Sequence, residues 1–266
     1  MTTRAPNDFL AALGGTKPPA GNVALFWLEQ SHFIFKTSTE TLVHVDPFLS
    51  RVVKPENHIH PQPVILPEEA RGDFVFLTHD HRDHTDPYTL EPMARNNPGC
   101  VFVGPAEACA RAREAAGVEE GRLVEIREGD RWDFPGFSVE AAYALDTSDP
   151  PSTTHLGYIF DFQGVVIYHT GDTRGEPDTY LVHLSRVANL RPRVLLAPIN
   201  EGYRNPGPRG AARLVEIVQP DMVVPCHYGC FKHNTMDPAL FLKALPPEMQ
   251  ARVRILPRGG MIRLEA

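Results

Sequence analysis

The chain has 266 residues, 42% hydrophobic and 22% charged, with a net charge of −7, which fits a globular protein and lacks the basic excess of a nucleic-acid footprint. Its four cysteines, Cys100, Cys109, Cys226 and Cys230, lack the paired spacing of a structural zinc site and read as reduced thiols. The start, Met1-Thr2-Thr3-Arg4-Ala5-Pro6-Asn7-Asp8, has no apolar leader core, and nowhere do about eighteen apolar residues run together, so a cytoplasmic location without membrane contact is expected.

Short β-rich runs at 23–27, 33–36 and 42–45 predict consecutive strands, closed by Asp46-Pro47, which cannot continue a ladder. A buried strand at 74–77 runs straight into a histidine cluster. Asp86-Pro87 offers a helix start that Pro92 leaves ambiguous. A strand at 101–103, a helix at 107–116 stopped by Gly117 and a strand at 123–126 follow. The later part repeats the plan: a strand at 137–142, a hairpin of 156–162 and 165–169 turning at Gln163-Gly164, and a strand at 194–197. An amphipathic helix at 211–218, a strand at 223–225, a helix capped by Asp237-Pro238 and strands at 253–256 and 261–264 complete the chain. The expectation is one α/β (α+β) domain over 1–266, made of two halves, 1–130 and 131–266, stacked as a four-layer αββα sandwich.

Twelve histidines are many for this length, and several end apolar runs. Within Thr78-His79-Asp80-His81-Arg82-Asp83-His84, the pattern His79-x-His81-x-Asp83-His84 puts three imidazoles and a carboxylate within six residues, a density that suits zinc or manganese. Residues two apart on an extended segment share a face, so His79 and His81 can reach one ion, and Asp83 and His84 a second. Two further apolar strands end in ligand types: Tyr168-His169-Thr170-Gly171-Asp172-Thr173 and Pro225-Cys226-His227-Tyr228-Gly229. A carboxylate can bridge two cations, which suits Asp172, and His227 can complete the second shell.

The strand into THDHRDH, the later YHTGDT and PCHYG, and Val43-His44-Val45-Asp46-Pro47 resemble the metallo-β-lactamase superfamily. Within it, Leu196-Ala197-Pro198-Ile199-Asn200 and Phe102-Val103-Gly104-Pro105 resemble the L-ascorbate-6-phosphate lactonase branch. The resemblance implies that His79 and His81 bind a first metal, that Asp83, His84 and His227 bind a second, that Asp172 bridges them and that Asp46 is a buried support. The superfamily normally supplies a further first-metal histidine, and the stretch 142–148 shows none at the expected place. Asp146 and His155 are the alternatives; an oxygen ligand would favour manganese. Related lactonases assemble into oligomers, which leaves a homo-oligomer open.

Two divalent ions, Zn2+ or Mn2+, would lower the pKa of a shared water and polarise the oxygen on which charge develops, with Asp83 and Asp172 as candidate catalytic carboxylates. The expected function is hydrolysis of a lactone or related ester of a small anionic metabolite. A phosphodiesterase or nuclease of the same fold, and a metal-holding regulatory module without catalysis, are the alternatives. The loop 200–210 predicts substrate contacts from Asn200, Arg204 and Arg209, since arginine clamps phosphate bidentately. Lys232 and His233 are further candidates.

Overall fold

The computed structural model describes residues 6–147 and 152–266. The start of the polar N-terminal segment, residues 1–5, and Ser148, which closes the stretch 142–148, lie outside the described residues. The chain is mixed α/β with two sheets, and it divides into two units: one extends to Arg127 and takes up Leu256–Ala266, the other is Glu128–Ile255.

In the first unit, β1 (Val23–Glu29), β2 (His32–Thr37) and β3 (Leu42–Val45) form the expected antiparallel meander. The next strands, β4 (Phe74–Phe76), β5 (Val101–Gly104) and β6 (Leu123–Glu125), add in parallel because each is reached by a crossover. Helices α2 (Pro87–Asn96) and α3 (Ala106–Ala116) supply two of those crossovers, and Pro92 sits inside α2 rather than moving its start. The closing strand β13 (Gly260–Leu264) pairs antiparallel with β1. The outer edge of β1 thus takes the closing segment as its ladder partner, and that segment belongs to the first unit.

Helix α1 (Pro6–Gly15) is not legible from periodicity, because its apolar stripe is confined to one turn, Phe9, Leu10 and Leu13. Phe9 and Leu13 bury in a cluster with Leu90 and Met93 of α2, Ala108 and Ala112 of α3, and Ala24, Phe26 and Leu28 of β1. Alternate positions of β1 thus face the helices, as the two-residue strand period requires. Buried Lys36 donates from Nζ to the carbonyl of Leu13 at 2.9 Å, satisfying an orphan acceptor at the end of α1.

The second unit holds β7 (Arg131–Phe134), β8 (Phe137–Tyr143), β9 (Leu156–Phe162), β10 (Val165–His169), β11 (Val194–Pro198) and β12 (Met222–Cys226). Its order is β12-β11-β10-β9-β8-β7, with β10, β11 and β12 parallel and the rest antiparallel. The β9–β10 hairpin turns at Gln163 (φ 56°) and Gly164 (φ 106°), the left-handed pair that a two-residue turn demands. Helices α4 (Leu181–Asn189), α5 (Gly207–Val218), α6 (Pro238–Ala244) and the short α7 (Pro247–Gln250) complete the unit, with Asp237 capping α6. The expected strand at 253–256 is absent: Val253 makes a single bridge to Val223, and the chain then leaves toward Pro257.

In both sheets the parallel strands deliver polar residues at their carboxyl ends, where such sheets hold ligands. Asp46 follows β3 and Thr78 to His84 follow β4; Asp172 follows β10, Asn200 follows β11 and His227 follows β12. Among the described residues no helix is long and apolar enough to cross a membrane. All four cysteines are buried and outside any disulfide, and burial pushes the thiols of Cys100 and Cys109 up to about 12.

Candidate metal centre

In the first unit the histidine cluster is built on one carboxylate. Asp46 is fully buried in a left-handed conformation (φ 46°), and its backbone N–H donates to the carbonyl of Phe76 at 2.9 Å. Its Oδ1 accepts from the backbone N–H of Thr78 at 2.8 Å, and its Oδ2 accepts from Thr78 Oγ1 at 2.7 Å and lies 2.7 Å from His84 Nδ1. His84 Nδ1 therefore carries the proton in this contact, which leaves the Nε2 lone pair for a metal. Thr78 Oγ1 has already given its hydrogen to Asp46, so at 2.9 Å it accepts from His79 Nδ1, and the Nε2 of His79 is likewise a lone pair.

A tight turn follows, with the N–H groups of His84 and Thr85 both donating to the carbonyl of His81 at 3.0 and 2.8 Å. It brings His81 Nδ1 to 3.0 Å from His79 Nε2 and His84 Nε2 to 3.7 Å from Asp83 Oδ2. Ligand atoms of His79 and His81, of His79 and His84, and of Asp83 and His84 lie within 4.8 Å of one another. Gln30 donates from Nε2 to that same Asp83 Oδ2 at 2.8 Å.

In the second unit the candidate ligands come from separate loops. His169, at the end of β10, accepts at Nδ1 from the N–H of Gly171 at 3.0 Å, and Gly171 turns the chain in the left-handed region (φ 62°) into Asp172. The carbonyl of Asp172 lies 3.1 Å from His155 Nδ1, which must be the donor, so the Nε2 of His155 also keeps its lone pair. Asp146, the rival for the vacancy, has its Oδ1 at 3.4 Å from that Nε2, while its Oδ2 accepts the N–H groups of Ser152 and Thr153 at 2.6 and 3.1 Å. His227 sits at the end of β12 in a left-handed conformation (φ 59°), with Nε2 at 3.2 Å from Asp172 Oδ2. That Oδ2 also accepts from Asn205 Nδ2 at 2.8 Å.

The residues expected at the substrate are dispersed. Asn200 is fully buried, and its amide nitrogen donates to Asn234 Oδ1 at 3.1 Å, so it serves the interior. Arg204 is exposed in a short turn at Gly202–Arg204, in a left-handed conformation (φ 62°), with its carbonyl accepting from Gly175 at 3.1 Å. Arg209 is exposed on α5, and Lys232 and His233 are exposed beyond β12. Gln30, Asn205, His169 and Asn234 were not singled out from the sequence. Gln30 left a trace, as a polar break between two apolar strand runs, and Asn205 lies in the loop that drew attention for its arginines.

The donor set fits borderline cations. Metal–ligand bonds of about 2.0–2.2 Å place neighbouring donors of one shell about 3.0–3.5 Å apart, which matches the 3.0 Å of His79 with His81 and the 3.2 Å of Asp172 with His227. Imidazole Nε2 atoms whose Nδ1 is tied to a carboxylate, hydroxyl or carbonyl are the arrangement by which proteins orient metal ligands.

The sequence profile described as "Beta-lactamase superfamily domain" matches residues 41–228. A protein of Methanosarcina mazei named "UPF0173 metal-dependent hydrolase" is 27% identical over 254 residues, covering 91% of this chain and 99% of its own. Among solved structures, the chain is similar to Igni18, described as a novel metallo hydrolase from Ignicoccus hospitalis, with TM-score 0.69 and 23% identity over 92% of this chain and 99% of that one. It is also similar to an isothiocyanate hydrolase from Delia radicum gut bacteria, with TM-score 0.72 and 17% identity over 91% of this chain and 100% of that one. At such identities the structural likeness concerns the fold.

Proposed function

We propose, from the premise that this chain belongs to the β-lactamase superfamily, that it is a metal-dependent hydrolase acting through two divalent ions, Zn2+ or Mn2+, on a lactone or related ester of a small anionic metabolite. The observation that carries this reading is the set of tethered imidazoles: His79, His84 and His155 each have Nδ1 occupied by a fixed acceptor, so Nε2 is left as the donor to a cation. His79, His81 and His155 would hold one ion; Asp83, His84 and His227 would hold the other, with Asp172 shared. His155 is favoured over Asp146 because one oxygen of Asp146 is already taken by two backbone N–H groups.

Bound there, divalent cations would supply a water of lowered pKa and polarise a scissile carbonyl. The protein's own part is to keep the ligands aimed. Asp46 accepts three donors and, through its contact with Nδ1, fixes the tautomer and orientation of His84. Arg204 and Arg209 would meet a negatively charged substrate group at the exposed turn and helix start.

The deciding experiment loads purified protein with Zn2+ or Mn2+ and screens lactone and phosphodiester panels, with metal content measured in parallel. About two ions per chain and lactone turnover are expected. Turnover of diesters alone would replace the lactone reading by a phosphodiesterase one, and substoichiometric metal without hydrolysis would favour a binding module.

A further inference from the structure

We propose that Gln30 and Asn205 are positioning residues for metal binding: each uses a neutral amide N–H to hold one oxygen of a ligand carboxylate, Asp83 in the first unit and Asp172 in the second. The inference rests on the metal reading above and goes one layer outward from the ligands. The two contacts are alike, both at 2.8 Å from an amide nitrogen to an Oδ2.

An amide donor has a particular consequence for a ligand carboxylate. It stabilises the anion and fixes its rotation, and because it carries no titratable proton it does so at any pH. Each carboxylate oxygen has two lone pairs, so Asp172 Oδ2 can accept from Asn205 and still present a lone pair beside His227 Nε2, 3.2 Å away. A lysine or arginine in the same place would compete with the cation for charge.

Both amides are delivered by backbone that unconstrained residues avoid. Gln30 is fully buried and left-handed (φ 55°) in the turn between β1 and β2, where glycine or asparagine would carry less strain. Trp27 Nε1 donates to its carbonyl at 3.0 Å and holds it there. Asn205 follows two left-handed residues, Tyr203 (φ 57°) and Arg204 (φ 62°). Its Nδ2 donates both to Asp172 Oδ2 and, at 3.2 Å, to Asn200 Oδ1, so both amide hydrogens are assigned and the group cannot flip without placing an oxygen against the carboxylate. Asn200 in turn donates to Asn234 Oδ1 at 3.1 Å, and a Cβ at Gly202 would stand 2.3 Å from that same oxygen. The loop is shaped around the asparagine chain that ends on Asp172.

The test titrates the EDTA-stripped full-length chain with Mn2+, by calorimetry and by electron paramagnetic resonance, in wild type and in Gln30→Met, Gln30→Glu, Asn205→Leu and Asn205→Asp. Loss of the donor in Gln30→Met and Asn205→Leu is expected to weaken Mn2+ binding about 10- to 100-fold, the usual effect of removing a partner behind a ligand. In Gln30→Glu and Asn205→Asp the deficit relative to wild type at the same pH should narrow as pH falls from 8 toward 5.5, because the new carboxyl gains a proton that it can donate. A role in packing alone would give a deficit that does not move with pH. Affinities within twofold of wild type, or a pH-independent deficit in both acidic variants, would overturn the inference while leaving the metal reading in place. Absence of Mn2+ and Zn2+ binding by wild type would overturn that reading and the inference together. Should an apolar variant fail to fold, judged by circular dichroism of the metal-free protein, the acidic variants decide.

Discussion

The two units support their candidate ligands in different ways. The first concentrates His79, His81, Asp83 and His84 in one loop and hangs His79 and His84 on Thr78 and Asp46. The second carries His155, Asp172 and His227 on three loops after or before strands, with His155 on a backbone carbonyl, Asp172 on a chain of asparagine amides and His227 beside the Asp172 carboxylate. A contiguous motif needs one buried anchor, whereas scattered ligands need a network, so the same kind of change should cost the two units differently.

The largest effect is expected from removing a ligand in either unit. His81→Ala and Asp172→Ala should each lower hydrolysis on the order of 10³-fold, the several kcal/mol that a metal ion supplies to transition-state charge, with metal content falling in parallel. Retained turnover in His81→Ala would contradict the metal assignment.

Next comes the anchor. Asp46→Ala strands three donors in a fully buried place, and urea denaturation should show a loss of about 3–5 kcal/mol. Asn205→Ala, in the unit with the distributed network, should lose less than half of that; equal losses would erase the contrast between the units.

Acid should also act on the first unit before the second. His32 Nε2 and His44 Nδ1 lie 3.0 Å apart in the interior, and His44 Nε2 donates to the carbonyl of Arg71 at 2.8 Å. Burial holds both imidazoles neutral, lowering His44 to about 4 and His32 well below its ordinary value of 6.5. A folded-state pKa below the unfolded one means that the stabilisation is complete above about pH 6.5 and is lost as pH falls toward 4. For His44 the loss approaches about 3 kcal/mol. Hydrogen exchange at pH 5 should therefore show strands β2 and β3 opening ahead of β10 and β11; the reverse order would refute it.

The smallest effect belongs to a position remote from the ligands. Asp237 accepts the N–H of Ala239 at 2.9 Å to cap α6, and Asp237→Ala should cost about 1 kcal/mol in thermal unfolding without changing metal content.

Much of the architecture is legible in the sequence. The strands at 23–27, 42–45, 156–162 and 165–169, the stop at Gly117 and the cap at Asp237 follow from local patterning, and all occur. The helix at Pro6–Gly15 and the exposed edge strand Arg131–Phe134 were missed, since the first has an apolar stripe of one turn and the second is mostly polar. The expected strand at 253–256 proved to be one bridge, because apolar composition does not reveal whether a ladder partner is present.

What the sequence determined by itself was the supply of donors: histidines and aspartates placed at the ends of buried strands, a property of short segments that needs no knowledge of distant residues. What only the tertiary structure decided was the pairing of those donors with their supports. Gln30 lies 53 residues from Asp83, Asn205 lies 33 from Asp172, and Glu29 meets Arg258 across 229. Which amide meets which carboxylate, and which ring nitrogen keeps its lone pair, depends on strand order and crossover geometry, and sequence spacing does not encode these.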